Sequence, residues 1–132
     1  MQKILSSILL IVKVEYIRMH NVHFKTPTKD TNEMPSITNK PFEYCGSLSE
    51  LTLTRLHLAK LTEQSLLGLG SLKKLDMSYN KFVEFPENVF QWLGSLLEFN
   101  LSFNFLSNDL ALTSILDAFP QLEVLKLAGN NN

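Results

Sequence analysis

LLEFNLSFNFL, residues 96–106, carries apolar side chains at Leu97, Phe99, Leu101, Phe103, Phe105 and Leu106, with Asn100, Ser102 and Asn104 between them. Successive side chains of a strand point to opposite faces, so this alternation predicts a strand with one buried face. A lone strand has nothing to bury that face against. Upstream, LKKLDMSYNKF (72–82) has the same template. What needs explaining is therefore a repeat.

Aligning the chain on itself sets the register. Leu48, Leu51, Leu53, Leu56 and Leu58 occupy offsets 0, 3, 5, 8 and 10 of one unit. Leu72, Leu75, Met77, Asn80 and Phe82 follow one period later, and Leu96, Phe99, Leu101, Asn104 and Leu106 after another period of the same length. Leu122, Leu125, Leu127 and Asn130 follow a slightly longer unit, while Val14, Ile17, Met19, Val22 and Phe24 open a much longer one before Leu48. The second half of the unit repeats too, since FEYCGSL (42–48), LLGLGSL (66–72) and FQWLGSL (90–96) all end in Gly-Ser-Leu. The units are 14–47, 48–71, 72–95, 96–121 and a truncated 122–132.

Stacked parallel strands, about 4.8 Å apart, let each unit cover its neighbour's apolar face. Offsets 3 and 5 share that face. Offset 8 falls where the chain leaves the strand, and an asparagine amide can satisfy turn backbone groups that would otherwise be buried unpaired. Asn80, Asn104 and Asn130 are read as this structural ladder. Val22 and Leu56 hold the position in the first two units, which predicts weaker fastening there.

This pattern resembles the leucine-rich repeat family across nearly all of residues 14–130. LKKLDMSYNKFVEFPENVFQWLGS (72–95) is similar to the type found in extracellular proteins, with Phe85-Pro86 at its L-P step, Phe90 at its buried phenylalanine and Leu93 at its last leucine. The resemblance implies an α/β repeat solenoid, a horseshoe with a parallel concave β-sheet and a convex side of loops and short helices. NLSFN (100–104), LEVLKLAGN (122–130) and the irregular units 14–47 and 96–121 further resemble a Toll-like receptor ectodomain.

Composition narrows the function. The 132-residue chain is 45% hydrophobic and 19% charged with a net charge of −1, an ordinary globular balance without the basic footprint that nucleic acid requires. Its single cysteine, Cys45, excludes an internal disulfide framework. Cys45 shares an offset with Leu69 and Leu93 and reads as a small core residue. Residues 1–13, MQKILSSILLIVK, read as the tail of a preceding unit or a weak signal segment. Residues 25–41, with three prolines, read as an inserted convex loop. LKLAGNNN (125–132) stops just after a strand, where terminal units normally seal the stack, so a longer protein is expected.

No catalytic constellation emerges. His20 and His23 lack a third metal ligand, Gly46, Gly70 and Gly94 come singly, and the carboxylates share no paired register. No cofactor or metal is implied. Phe42, Phe90, Phe99, Phe103 and Phe119 are expected in the core, with Trp92 as the exposed aromatic. Offsets 2, 4 and 6 point outward, and Arg18, Glu50, Thr52, Lys74, Asp76, Glu98 and Lys126 form the candidate concave binding face. Asn100-Leu101-Ser102 is the chain's only N-x-[ST] sequon, so Asn100 is the candidate glycosylation site.

The resemblance implies a non-catalytic module on the extracellular side of a membrane receptor of innate immunity. Its ligand would be a protein or a microbial product, bound on the concave face or the convex loops. Whether receptors pair in the full-length protein stays open. The alternative is an intracellular or secreted scaffold that binds a protein partner.

Overall fold

The computed structural model describes residues 16–20, 36–37, 40–107 and 109–130. Its strands are β1 (Tyr16–His20), β2 (Ser36–Ile37), β3 (Glu50–Thr54), β4 (Lys60–Leu61), β5 (Lys74–Asp76), β6 (Glu98–Asn100) and β7 (Val124–Lys126). One parallel sheet runs β1-β3-β5-β6-β7, and β2 pairs with β4 in a second, two-stranded sheet. The register joins like offsets, Ile17 to Leu51 to Leu75 to Phe99 to Leu125. Residues one unit apart therefore lie side by side. The inward row of Leu51, Leu75 and Phe99 is completely buried, as are Leu48, Leu72 and Leu96 at offset 0.

The opposite wall of the core comes from a 3-10 turn (Val89–Trp92) and helix α1 (Asp109–Ala118). Phe90 stands at the centre of an aromatic cluster, with ring centroids 5.0 Å from Phe85, 5.6 Å from Phe99 and 5.2 Å from Phe119. Tilted and edge-on pairs like these add about 0.5–1.5 kcal/mol each beyond their area burial. Within α1, Ile115 is buried while Leu116 is 60% exposed, so the helix turns one apolar side chain outward.

The polar counterpart of this core is the row of asparagines at offset 8. The Asn80 Oδ1 accepts the backbone N–H groups of Leu56 and Leu58, both at 3.1 Å, and its Nδ2 donates to the carbonyls of Leu53 at 2.7 Å and Met77 at 3.0 Å. One side chain thus binds its own strand end and the preceding unit. Asn104 repeats the arrangement one unit on, with Phe82 N–H, Met77 O and Leu101 O at 3.0–3.1 Å. Asn130 does so with Leu106 N–H, Leu101 O and Leu127 O at 2.9–3.0 Å. Leu56, at the same offset, is buried and takes no part in such a bridge from its side chain.

The backbone just before the ladder position departs from a strand. Arg55, Tyr79 and Phe103 have φ of 56°, 57° and 58°, in the left-handed region that costs a non-glycine residue about 1–3 kcal/mol. The alternation breaks one residue earlier, where Met77 and Ser78, and likewise Leu101 and Ser102, are both buried; from there Tyr79 and Phe103 face outward and Asn80 and Asn104 inward. Two expectations fall here. Phe103 is not a core residue but 45% exposed, and Phe105 is 46% exposed. Offset 6 does not face solvent in the three units where Thr54, Ser78 and Ser102 are buried, although Ala128 is exposed in the last.

Other differences are local. Ser36–Ile37 is not loop but a strand, since Ile37 is buried beside Leu61 and its carbonyl accepts the Ser65 hydroxyl. The rest of the proposed insertion, apart from Lys40 and Pro41, lies outside the described residues, as do segment 1–13, Val14, Val22, His23 and Phe24. Trp92 is half-buried rather than the most exposed aromatic, and its indole N–H donates to the Glu63 carbonyl at 2.8 Å. The three glycines in phase, Gly46, Gly70 and Gly94, have open space where a Cβ would stand. Gly68 is the constrained one: φ is +100° and a Cβ would overlap the Phe42 carbonyl and lie 2.8 Å from Glu43 Cα.

Two stability tests follow from these contacts. Asn80→Ala strands buried donors and acceptors and should cost roughly 1–3 kcal/mol, whereas exposed Lys81→Ala should stay within about ±0.5 kcal/mol. Urea titration of both variants decides between an energetic ladder and an incidental one. By the same measurement Gly68→Ala should lose about 3 kcal/mol or more through backbone overlap and strain, while Gly70→Ala stays within about ±0.5 kcal/mol.

Candidate functional site

The outward positions of the five-stranded sheet form two rows. Offset 2 runs Glu50, Lys74, Glu98, Val124, and offset 4 runs Arg18, Thr52, Asp76, Asn100, Lys126. The sheet therefore brings all seven candidate binding residues, and Asn100, onto one face. Arg18, Lys74 and Lys126 are exposed, and Glu50, Thr52, Asp76, Glu98 and Asn100 are half-buried.

This face is largely neutralised by its own charges. Lys74 Nζ lies 3.7 Å from Glu50 and 3.9 Å from Glu98, and Lys126 Nζ lies 3.1 Å from the other Glu98 oxygen. At such exposure each pair is worth about 0–1 kcal/mol, so the chain fixes side-chain positions here more than it gains stability. Asp76 and Asn100 are tied to the backbone. Asp76 Oδ1 accepts the Ser78 N–H at 2.9 Å and the Ser78 hydroxyl at 2.6 Å, and Asn100 Oδ1 accepts the Ser102 N–H at 3.0 Å. These short Asx turns hold the strand ends as the chain bends away.

A feature the sequence reading passed over lies along the edge of the sheet at offset 7. The Arg55 guanidinium sits 4.0 Å from the Tyr79 ring centroid, and the Tyr79 and Phe103 rings stack at 4.5 Å and 11°. The series ends at Gly129, with φ of 69°, where a Cβ would lie 2.6 Å from a Phe103 ring carbon. The signal was available in the residue that precedes each ladder asparagine, Tyr79 and Phe103, and in the smallness of Gly129.

No three histidine, cysteine or acidic side chains converge among the described residues as a metal site. Cys45 is buried, and burial pushes its thiol pKa from 9.0 to about 11. The thiolate needed for attack is suppressed. A cleft of about 630 Å³ lies between the 3-10 turn and α1, lined by Glu84, Phe85, Glu87, Phe90 and Asp117 among others. Its lining includes the Ser114 hydroxyl and three carboxylates but no basic side chain. No described helix is long and apolar enough to cross a membrane.

Residues 46–106 match the family model for the leucine rich repeat. The match covers just under half of the chain, and the mostly parallel sheet with few helices has the architecture of a leucine-rich-repeat solenoid. Repeats of this family serve typically as non-catalytic, protein-binding modules, with extended concave surfaces available for contact. A search of curated proteins returns no match to the chain.

The cysteine gives a direct check. With its pKa raised to about 11, native Cys45 should react with Ellman's reagent at pH 8 far more slowly than the unfolded chain, whose thiol keeps its ordinary pKa. The stabilising effect of the neutral thiol is complete below the unfolded value and is lost as pH rises through about 11. Equal native and denatured rates would contradict the burial of this side chain.

Proposed function

We propose that this chain is a non-catalytic binding module in the ectodomain of a cell-surface receptor of the Toll-like, pattern-recognising kind, taking a protein or microbial ligand. The observation that carries the binding reading is the five-stranded parallel sheet with a mostly polar outward face. The Toll-like reading rests on the resemblance of residues 100–104 and 122–130 and of the irregular units. Its extracellular placement rests on the sequon.

Asn100 supplies the test. It stands on the outward row of β6, half-buried, with its carboxamide oxygen held by the sequon's own Ser102 N–H. A glycan on its nitrogen would extend away from Phe99 and Leu101, which face the core. Peptide mapping of the protein secreted from animal cells should find Asn100 glycosylated. Unmodified Asn100 in secreted protein would count against the receptor reading and favour the cytoplasmic scaffold.

A further inference from the structure

The residues on either side of the ladder position form a second outward surface, distinct from the concave rows. Arg55 and His57 flank buried Leu56, Tyr79 and Lys81 flank buried Asn80, and Phe103 and Phe105 flank buried Asn104. All six are exposed. Backbone bonds from Tyr79 N–H to Ser102 O and from Phe105 N–H to Phe82 O keep successive units side by side there. The strip is basic at one end and aromatic at the other, and it contains no acidic residue.

Its composition is unlike the rest of the surface. Of the seven exposed large hydrophobic side chains among the described residues, Tyr79, Phe103 and Phe105 belong to the strip and Val83 borders it. Concentrated aromatic exposure of this kind marks interaction surfaces, whereas single exposed apolar residues do not. The Lys74 and Lys126 charges of the concave face are met by Glu50 and Glu98. Among the described residues, Arg55 and Lys81 face no carboxylate within ion-pair distance.

We propose that this strip, along the edge of the sheet where its strands end, docks an acidic protein segment that carries an apolar side chain. Carboxylates of the segment meet Arg55 and Lys81, and its apolar side chain rests on Phe103 and Phe105. The stack itself selects the class of partner. Tyr79 is covered by Arg55 on one face and Phe103 on the other, and Phe103 closes on Gly129. Nucleobases and sugars need free ring faces to stack upon, and these two rings offer edges. Ring edges suit the aliphatic or aromatic side chain of a peptide. The proposal rests on the protein-binding reading and places the partner beside the concave face instead of on it.

The test uses the isotopically labelled whole chain and a synthetic peptide, Glu-Glu-Leu-Phe-Glu-Glu, titrated to its solubility limit and followed by NMR. The amides of Tyr79, Lys81, Phe103 and Phe105 should shift saturably, and Lys81→Glu and Phe105→Ser should each weaken binding about tenfold. Leu116→Ser, on exposed α1, should leave binding unchanged, and Lys-Lys-Leu-Phe-Lys-Lys should not bind. Shifts confined to Lys74, Asp76, Glu98 and Asn100 would overturn the strip while keeping the binding-module reading. Equal binding of the lysine peptide, insensitivity to both substitutions, or no shift anywhere would also overturn it. Concentration-dependent shifts without peptide would identify a second copy of the chain as the occupant and overturn it as well.

Discussion

The side-chain amide of an asparagine, turned inward after each of three successive strands, β5, β6 and β7, is the constraint on which this solenoid depends. So short a strand cannot close its own hydrogen bonds as it bends into the next segment. Buried backbone groups left unpaired there would each cost about 1–3 kcal/mol. Asn80 meets this demand on both sides, accepting from Leu56 and Leu58 and donating to Leu53 and Met77. Asn104 and Asn130 carry the same bridge through the next two units. The leucines supply the apolar area, and the asparagines let the chain turn without surrendering it.

Turning the asparagine inward has a structural consequence at the residue before it. The backbone enters the left-handed region there, and does so before Leu56 as well, with residues as large as Arg55, Tyr79 and Phe103 occupying it. Their strain is offset by contact, since the guanidinium lies over one ring and the two rings stack. The same geometry then exposes Lys81 and Phe105 on the other side of the ladder. An interior hydrogen-bond requirement thereby shapes an exterior surface. Alongside it, the concave rows of Glu50, Lys74, Glu98 and Lys126 are largely self-paired.

The parallel stack was legible because its cause is periodic. Leu51, Leu75 and Phe99 stand at one offset in three units, and a face that recurs once per unit has only its neighbours to bury against. The outward rows were legible for the same reason, and the sheet brings Arg18, Glu50, Thr52, Lys74, Asp76, Glu98 and Lys126 together. Beyond offset 5 the alternation failed, because two consecutive residues, Leu101 and Ser102, both turn inward where the strand ends, and a polar Ser102 leaves no mark of burial on hydropathy. Ser102 went in and Phe103 came out. Gly68 was hidden differently: its requirement comes from the Phe42 carbonyl in the preceding unit, a contact no single repeat contains. Ser36–Ile37 was masked by the prolines and polar residues around it, although pairing with Lys60–Leu61 makes it a strand.

Native-state amide exchange tests the ladder most directly, because it reads the very N–H groups that the asparagines hold. The amides of Leu56, Leu58, Phe82 and Leu106 donate to side-chain oxygens at 3.0–3.1 Å and belong to no strand. If the ladder is part of the cooperative core, these four should exchange only through global unfolding, with the same free energy as Leu75 and Phe99 in the strands. Exchange at the rate of the exposed loop residue Glu84 would contradict the account, since the turns would then open independently of the sheet.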